Sequence, residues 1–148
     1  QIHAPERVFE QPAYATPVDR TFAQEVRLLG YSLAPVTDLA SLHTASVPSL
    51  TVTLVWQGLQ EMQTSYRVFV HLIDGEGQIL AQSDAEPAQW ARPTTGWMPG
   101  EYVVDEHTLP LPARMPDADL ALRVGLFDAE SGERLQLPSG EEFVLIQP

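Results

Sequence analysis

The sequence predicts an all-β domain: a two-sheet antiparallel sandwich of about eight strands, immunoglobulin-like or jelly-roll-like in plan. Two observations carry this reading. A strand-turn-strand phrase is written twice, from Val68 through Ala81 and from Leu122 through Leu137, with apolar residues at alternate positions and Asp with Gly at each reversal. Alternation puts one side of a strand on a core, and an Asp acceptor with a Gly able to take positive φ makes a tight turn. The second observation is that no segment sustains a helical apolar period, so helix is expected to be minor.

Taken in order, residues Gln1 to Gln24 carry Pro5, Pro12 and Pro17 among Gln and Ala, without periodicity. This composition predicts a linker or an extended N-terminal arm over 1–24, with the sandwich domain over 25–148. Val26 to Leu33 reads as a first strand, with Leu28 and Leu29 leaving its inward face open. Ala34 to Ser49 reads as a loop with room for a short edge strand. Leu50, Val52, Leu54 and Trp56 then share one face of a strand, opposite Thr51, Thr53 and Gln57. Such alternation is the mark of a half-buried antiparallel strand.

Tyr66 to Asp74 is apolar on both faces, since Phe69 and Ile73 join Val68, Val70 and Leu72, and is expected to lie centrally. Ile79 to Ser83 returns beside it. Asp84 to Glu101 holds Pro87, Pro93, Gly96 and Pro99 with Trp90 and Trp97, a long connection of the kind that is functional or packs as a cover. Strands are expected from Tyr102, Leu120, Arg134 and Glu142, which completes the eight.

A chain of 148 residues can bury roughly 70% of its unfolded surface, enough for a core without staples. Cysteine is absent, which excludes disulfides and thiolate metal sites and leaves the redox compartment open. The formal net charge is -12, from eight Arg and no Lys against twenty carboxylates. That field repels phosphate backbones, so nucleic acid is not an expected partner, and no apolar run approaches the roughly 20 residues that span a bilayer. The chain starts at Gln1. The expectation is a piece of a longer polypeptide, although a removed signal would leave the same start.

Several phrases become recognisable together: Val26-Arg27-Leu28-Leu29-Gly30-Tyr31, Thr53-Leu54-Val55-Trp56-Gln57, Phe69-Val70-His71-Leu72, and Ala81-Gln82-Ser83-Asp84 before Pro87. Pro93-Thr94, Trp97-Met98-Pro99-Gly100-Glu101, Asp105, Val124-Gly125-Leu126-Phe127-Asp128 and Gly132-Glu133-Arg134-Leu135 follow. Their order and spacing, over about Glu25 to Leu137, resemble the C-terminal, water-exposed β-sandwich domains of polytopic bacterial glycosyltransferases of the dolichyl-phosphate-mannose type. The resemblance implies a non-catalytic accessory module outside the cytoplasmic membrane, attached to a membrane protein whose transferase chemistry lies in its membrane segments. It carries no catalytic residue onto this chain. The partners it implies are a saccharide or glycolipid headgroup, or the membrane-embedded body of its own transferase; the other reading is a structural or protein-interaction domain without a small ligand.

Residue chemistry singles out one group for ligand contact: Trp90, Arg92, Trp97 and Tyr102, with Gln89 and Glu101 nearby. Flat rings stack on pyranose faces and planar polar groups bond hydroxyls. Trp90 is the better ligand candidate and Trp97 the better core candidate. Asp105 and His107 fall on one face of a strand and Glu106 on the other, but the four His at His3, His43, His71 and His107 show no ligand spacing, so neither metal nor cofactor is expected. The acidic turns at 74–77 and 128–133 lack the alternating ligands of a calcium loop and read as hairpin turns. There is no Gly-x-Ser-x-Gly elbow, phosphate cradle or Cys nucleophile. Glu101, Asp105 and Glu106 are the carboxylates available for a glycosidase-type pair, and the expectation is no enzyme.

Overall fold

The computed structural model describes residues 6–148, so Gln1, His3 and Pro5 of the N-terminal segment lie outside it. Within those residues eight strands form two antiparallel sheets of four. The first sheet has the order β1 (Thr16–Phe22), β2 (Val26–Ala34), β3 (Ser49–Gly58), β6 (Tyr102–Pro110). The second has the order β5 (Ile79–Ala85), β4 (Tyr66–Ile73), β7 (Ala121–Asp128), β8 (Val144–Ile146). Helical content is limited to short 3-10 turns at Ala40–His43 and Thr94–Gly96.

The core lies between the sheets and follows the alternation of each strand. Leu50, Val52, Leu54 and Trp56 of β3 are fully buried, and they meet Val68, Val70 and Leu72 of β4 and Leu122, Val124 and Leu126 of β7. β4 is central, flanked by β5 and β7, and its other face is covered as well, with Phe69, His71 and Ile73 buried. The two consecutive leucines of β2 are both buried because the β2–β3 register shifts between Leu28 and Gly30. A bulge of this kind breaks strict inside-outside alternation.

Three expectations are corrected. Arg134 to Leu137 is not a strand: Phe127 and Arg134 form a single bridge, after which the chain turns so that Leu137 enters the core. The eighth strand is instead β1, inside the segment read as an arm. Its Pro17 is tolerated because β1 is an edge strand, and Asp19, at φ 54°, occupies a register shift between Pro17 and Arg20. The loop after β2 carries a 3-10 turn rather than an edge strand, and the turn seats Leu42 in the core.

The segment before β1 crosses the first sheet from edge to edge. Val8 pairs with Tyr102 on β6, the Tyr14 ring lies over Gly30 of β2, and β1 then adds to the far side. Gly30 is required there, because a Cβ would stand 2.4 Å from the Tyr14 ring and 2.5 Å from the Thr16 carbonyl oxygen.

Candidate functional site

The connection from β5 to β6 closes one end of the sandwich and holds three of the four ligand candidates. It begins with a left-handed turn in which Ala88, Gln89 and Trp90 take φ of 57°, 56° and 72°. Non-glycine residues pay for that conformation individually, so three in succession persist only where surrounding contacts impose them. Those contacts are present. Trp90 N–H donates to the Glu86 carbonyl and Arg92 N–H to the Pro87 carbonyl, both at 3.0 Å, and Ala88 N–H donates to Asp105 Oδ1 at 2.8 Å. The turn projects Trp90 outward, 51% exposed, with the Arg67 guanidinium 5.0 Å over its ring.

The other three candidates do not join Trp90 on the surface. Trp97 is buried in the core, and its indole N–H donates to the Arg92 carbonyl at 2.9 Å. The Arg92 guanidinium turns inward onto Glu101 Oε2, while Arg7 donates to Glu101 Oε1 at 2.7 Å and Met98 N–H to the same oxygen at 2.9 Å. Burial pushes the Glu101 carboxyl up, but the Arg92 hydrogen bond, the Met98 N–H, the Arg92 charge and Arg7 outweigh it and hold the group below its usual range. Tyr102 is half-buried and its backbone is paired with Val8. The structure therefore separates an outward Trp90 from a clasp in which Arg92 and the partly exposed Arg7 close on the buried Glu101.

Behind Trp90 a polar chain runs through the core. Asp105 accepts from the Trp56 indole N–H at 3.1 Å, and its Oδ2 lies 2.7 Å from His107 Nε2. His107 Nδ1 in turn is 2.9 Å from Ser83 Oγ on β5. The order Ser, His, Asp resembles the connectivity of a nucleophile triad, in which geometry rather than sequence order defines the parts. Here both Asp105 and His107 are buried between the sheets, and every hydrogen-bonding position is used internally. Glu106 points to the opposite face and is exposed, so Glu101, Asp105 and Glu106 do not converge.

The outer face of the second sheet carries three stacked guanidiniums. Besides Arg67 over Trp90, Arg134 lies 4.6 Å over Phe69 and Arg123 lies 5.4 Å over Phe143. His71, opposite Arg123 in the β4–β7 register, sits between them with Nε2 3.7 Å from Asp84. Burial lowers its pKa first; Asp84 opposes that, while the charges of Arg134 and Arg123 add to it. Gly125 makes this layer flat, since a Cβ there would stand 2.4 Å from the Phe69 ring.

Sequence reasoning missed Arg67 and Ser83. Each has a signal in hindsight: Arg67 is a lone cation opening a strand otherwise apolar on both faces, and Ser83 shares a period-two row with Ala81 and Ala85.

Among the described residues no group of three His, Asp or Glu is placed to hold a metal. The acidic turns spend their carboxylates on local backbone: Asp74 Oδ1 accepts from Glu76 and Gln78 N–H, and Asp128 Oδ1 from Glu130 N–H, all at 2.9 Å. No helix among the described residues is long and apolar enough to cross a membrane. No protein-family model, curated protein or solved structure matches this chain.

Proposed function

We propose that this domain is a non-catalytic accessory module of a membrane glycosyltransferase-like protein, sited outside the cytoplasmic membrane, where it contacts a saccharide or glycolipid headgroup. The observation that carries the binding part is Trp90: a half-exposed indole on a left-handed turn whose shape is imposed by a buried carboxylate. An exposed indole offers a flat face on which a sugar ring can stack, and one held rigidly loses little freedom on stacking. Trp97 and Arg92 serve the scaffold, so the contact surface is smaller than the residue types alone imply.

The sequence phrases from Val26 to Leu135 support the family reading, and the strand order supports an immunoglobulin-like plan. With β2, β3 and β6 in the places of strands A, B and E, the order β5-β4-β7-β8 corresponds to the sheet built on C, F and G. The anionic surface argues against nucleic acid.

Glycan-array binding by the chain, lost in Trp90→Ala with the melting temperature unchanged, is the expected result. Absence of glycan binding, with Trp90→Ala lowering stability instead, would favour a structural or protein-contact domain. The membrane context is tested by reading the coding sequence upstream of Gln1, where a series of membrane spans is expected.

A further inference from the structure

We propose that the ligand of the outer face of the second sheet is an anionic saccharide, a sugar bearing a carboxylate, sulfate or phosphate. This rests on the preceding reading of Trp90 and specifies its ligand. The argument starts from the distribution of cations in a chain of eight arginines and twenty carboxylates. Arg7, Arg20, Arg27 and Arg92 each have a carboxylate oxygen within 4 Å. Among the described residues Arg67, Arg114, Arg123 and Arg134 have none, and three of these four, Arg67, Arg123 and Arg134, lie on this one face, each over an aromatic ring. On a chain with acids in such excess, these three guanidiniums form a local cationic patch, bordered by Asp84 beside His71.

Their placement suits an oxyanion on a ring-shaped ligand. A guanidinium held over an aromatic ring retains N–H donors that can bond a carboxylate or phosphate; Arg67 and Arg134 are placed in this way, while Arg123 gives one N–H to the Gly77 carbonyl at 3.3 Å. Along β4 the guanidiniums follow one row: Arg67, then Arg134 over the buried Phe69, then Arg123 opposite the buried His71. Residues four apart on a strand are about 13 Å apart, the length of two to three sugar rings, so one oligosaccharide can reach Trp90 and more than one guanidinium. Phe69 and His71 are themselves buried, with Arg134 over the Phe69 ring and Phe69 packed on Gly125, so what this layer offers a ligand is its covering guanidiniums and the exposed indole of Trp90. A long polyanion is disfavoured, because the -12 net charge of the whole chain repels it beyond the patch.

The test is titration of the 148-residue chain, followed by amide chemical shifts and calorimetry, with four probes: a uronic-acid trisaccharide, its neutral counterpart, a sugar phosphate and inorganic phosphate. The expected result is binding of the uronate or the sugar phosphate about tenfold or more tighter than the neutral sugar, with shifts on β4 and β7. Arg67→Gln and Arg134→Gln should remove that preference, and Arg114→Gln, away from this face, should not. Equal binding of charged and neutral sugars, still dependent on Trp90, would overturn the anionic ligand and leave the saccharide reading standing. Binding of inorganic phosphate as tight as any sugar would overturn it in favour of a bare anion site. No binding of any probe would overturn both readings.

Discussion

The indole N–H of Trp56 and the carboxylate of Asp105 meet at 3.1 Å inside the first sheet, joining the largest fully buried side chain of the core to a fully buried acid. Asp105 is shared: it also receives His107 and the backbone N–H of Ala88. The same atoms therefore hold the core together and set the turn that presents Trp90.

Removing that acceptor strands three buried donors. Asp105→Ala is expected to cost about 3–5 kcal/mol, as is usual when one member of a buried charged network is deleted. Urea denaturation measures it, and a loss under 1 kcal/mol would show that the network is dispensable.

The left-handed turn makes an opposite-sign prediction at one position. Gln89→Gly relieves the cost of φ 56° and should be neutral or stabilising by up to about 1 kcal/mol. Gln89→Val, β-branched at positive φ, should destabilise by about 1–2 kcal/mol. Thermal melts of both variants decide it.

At Gly125 the prediction is steric. Gly125→Ala places a methyl against the Phe69 ring and the Glu142 carbonyl oxygen and should cost about 1–3 kcal/mol. In a double-mutant cycle with Phe69→Leu the costs should be less than additive, because the smaller side chain vacates the overlap.

Two groups give the fold a pH dependence. His71 is buried with a lowered pKa, so between its folded value and 6.5 the unfolded chain binds more protons and stability falls as pH falls. The contribution is complete above pH 6.5, and His71→Phe should flatten the profile just below it.

Glu101 acts further down. Its folded pKa is depressed, so its contribution is complete above the unfolded value and is lost as pH falls through the folded one. Glu101→Gln should therefore cost stability at pH 7 and show a shallower acid limb. Chemical denaturation from pH 7 to pH 3 distinguishes the two histidine and glutamate windows.

The fold was largely legible because the strands of the core obey period two: Leu50 to Trp56 and Val68 to Leu72 point where alternation sends them. What alternation could not reveal is pairing across sequence distance. β1 was hidden by Pro17 and by the bulge at Asp19, and its partner β2 supplies the order that its own residues lack. Arg134 to Leu137 has the alternation of a strand but only one bridge to β7, since Leu137 is drawn into the core and the chain must bend to deliver it. At the site, residue type marked Trp90 as the outward ring and Trp97 as the inward one. It could not reveal that Arg92 is taken by Glu101 or that Arg67 stands behind Trp90, because both depend on which strands become neighbours.

The crossing of the leading segment over the first sheet reaches beyond the packing of one molecule. By pairing with Tyr102, Val8 occupies part of the β6 margin, and β1 seals β2 on the opposite side with a strand that Pro17 and a bulge make a poor template. A shortened chain lacking residues 6–22 would bare hydrogen-bonding margins on both flanks at once, and such a fragment would be drawn toward oligomers and fibrils that the longer polypeptide avoids.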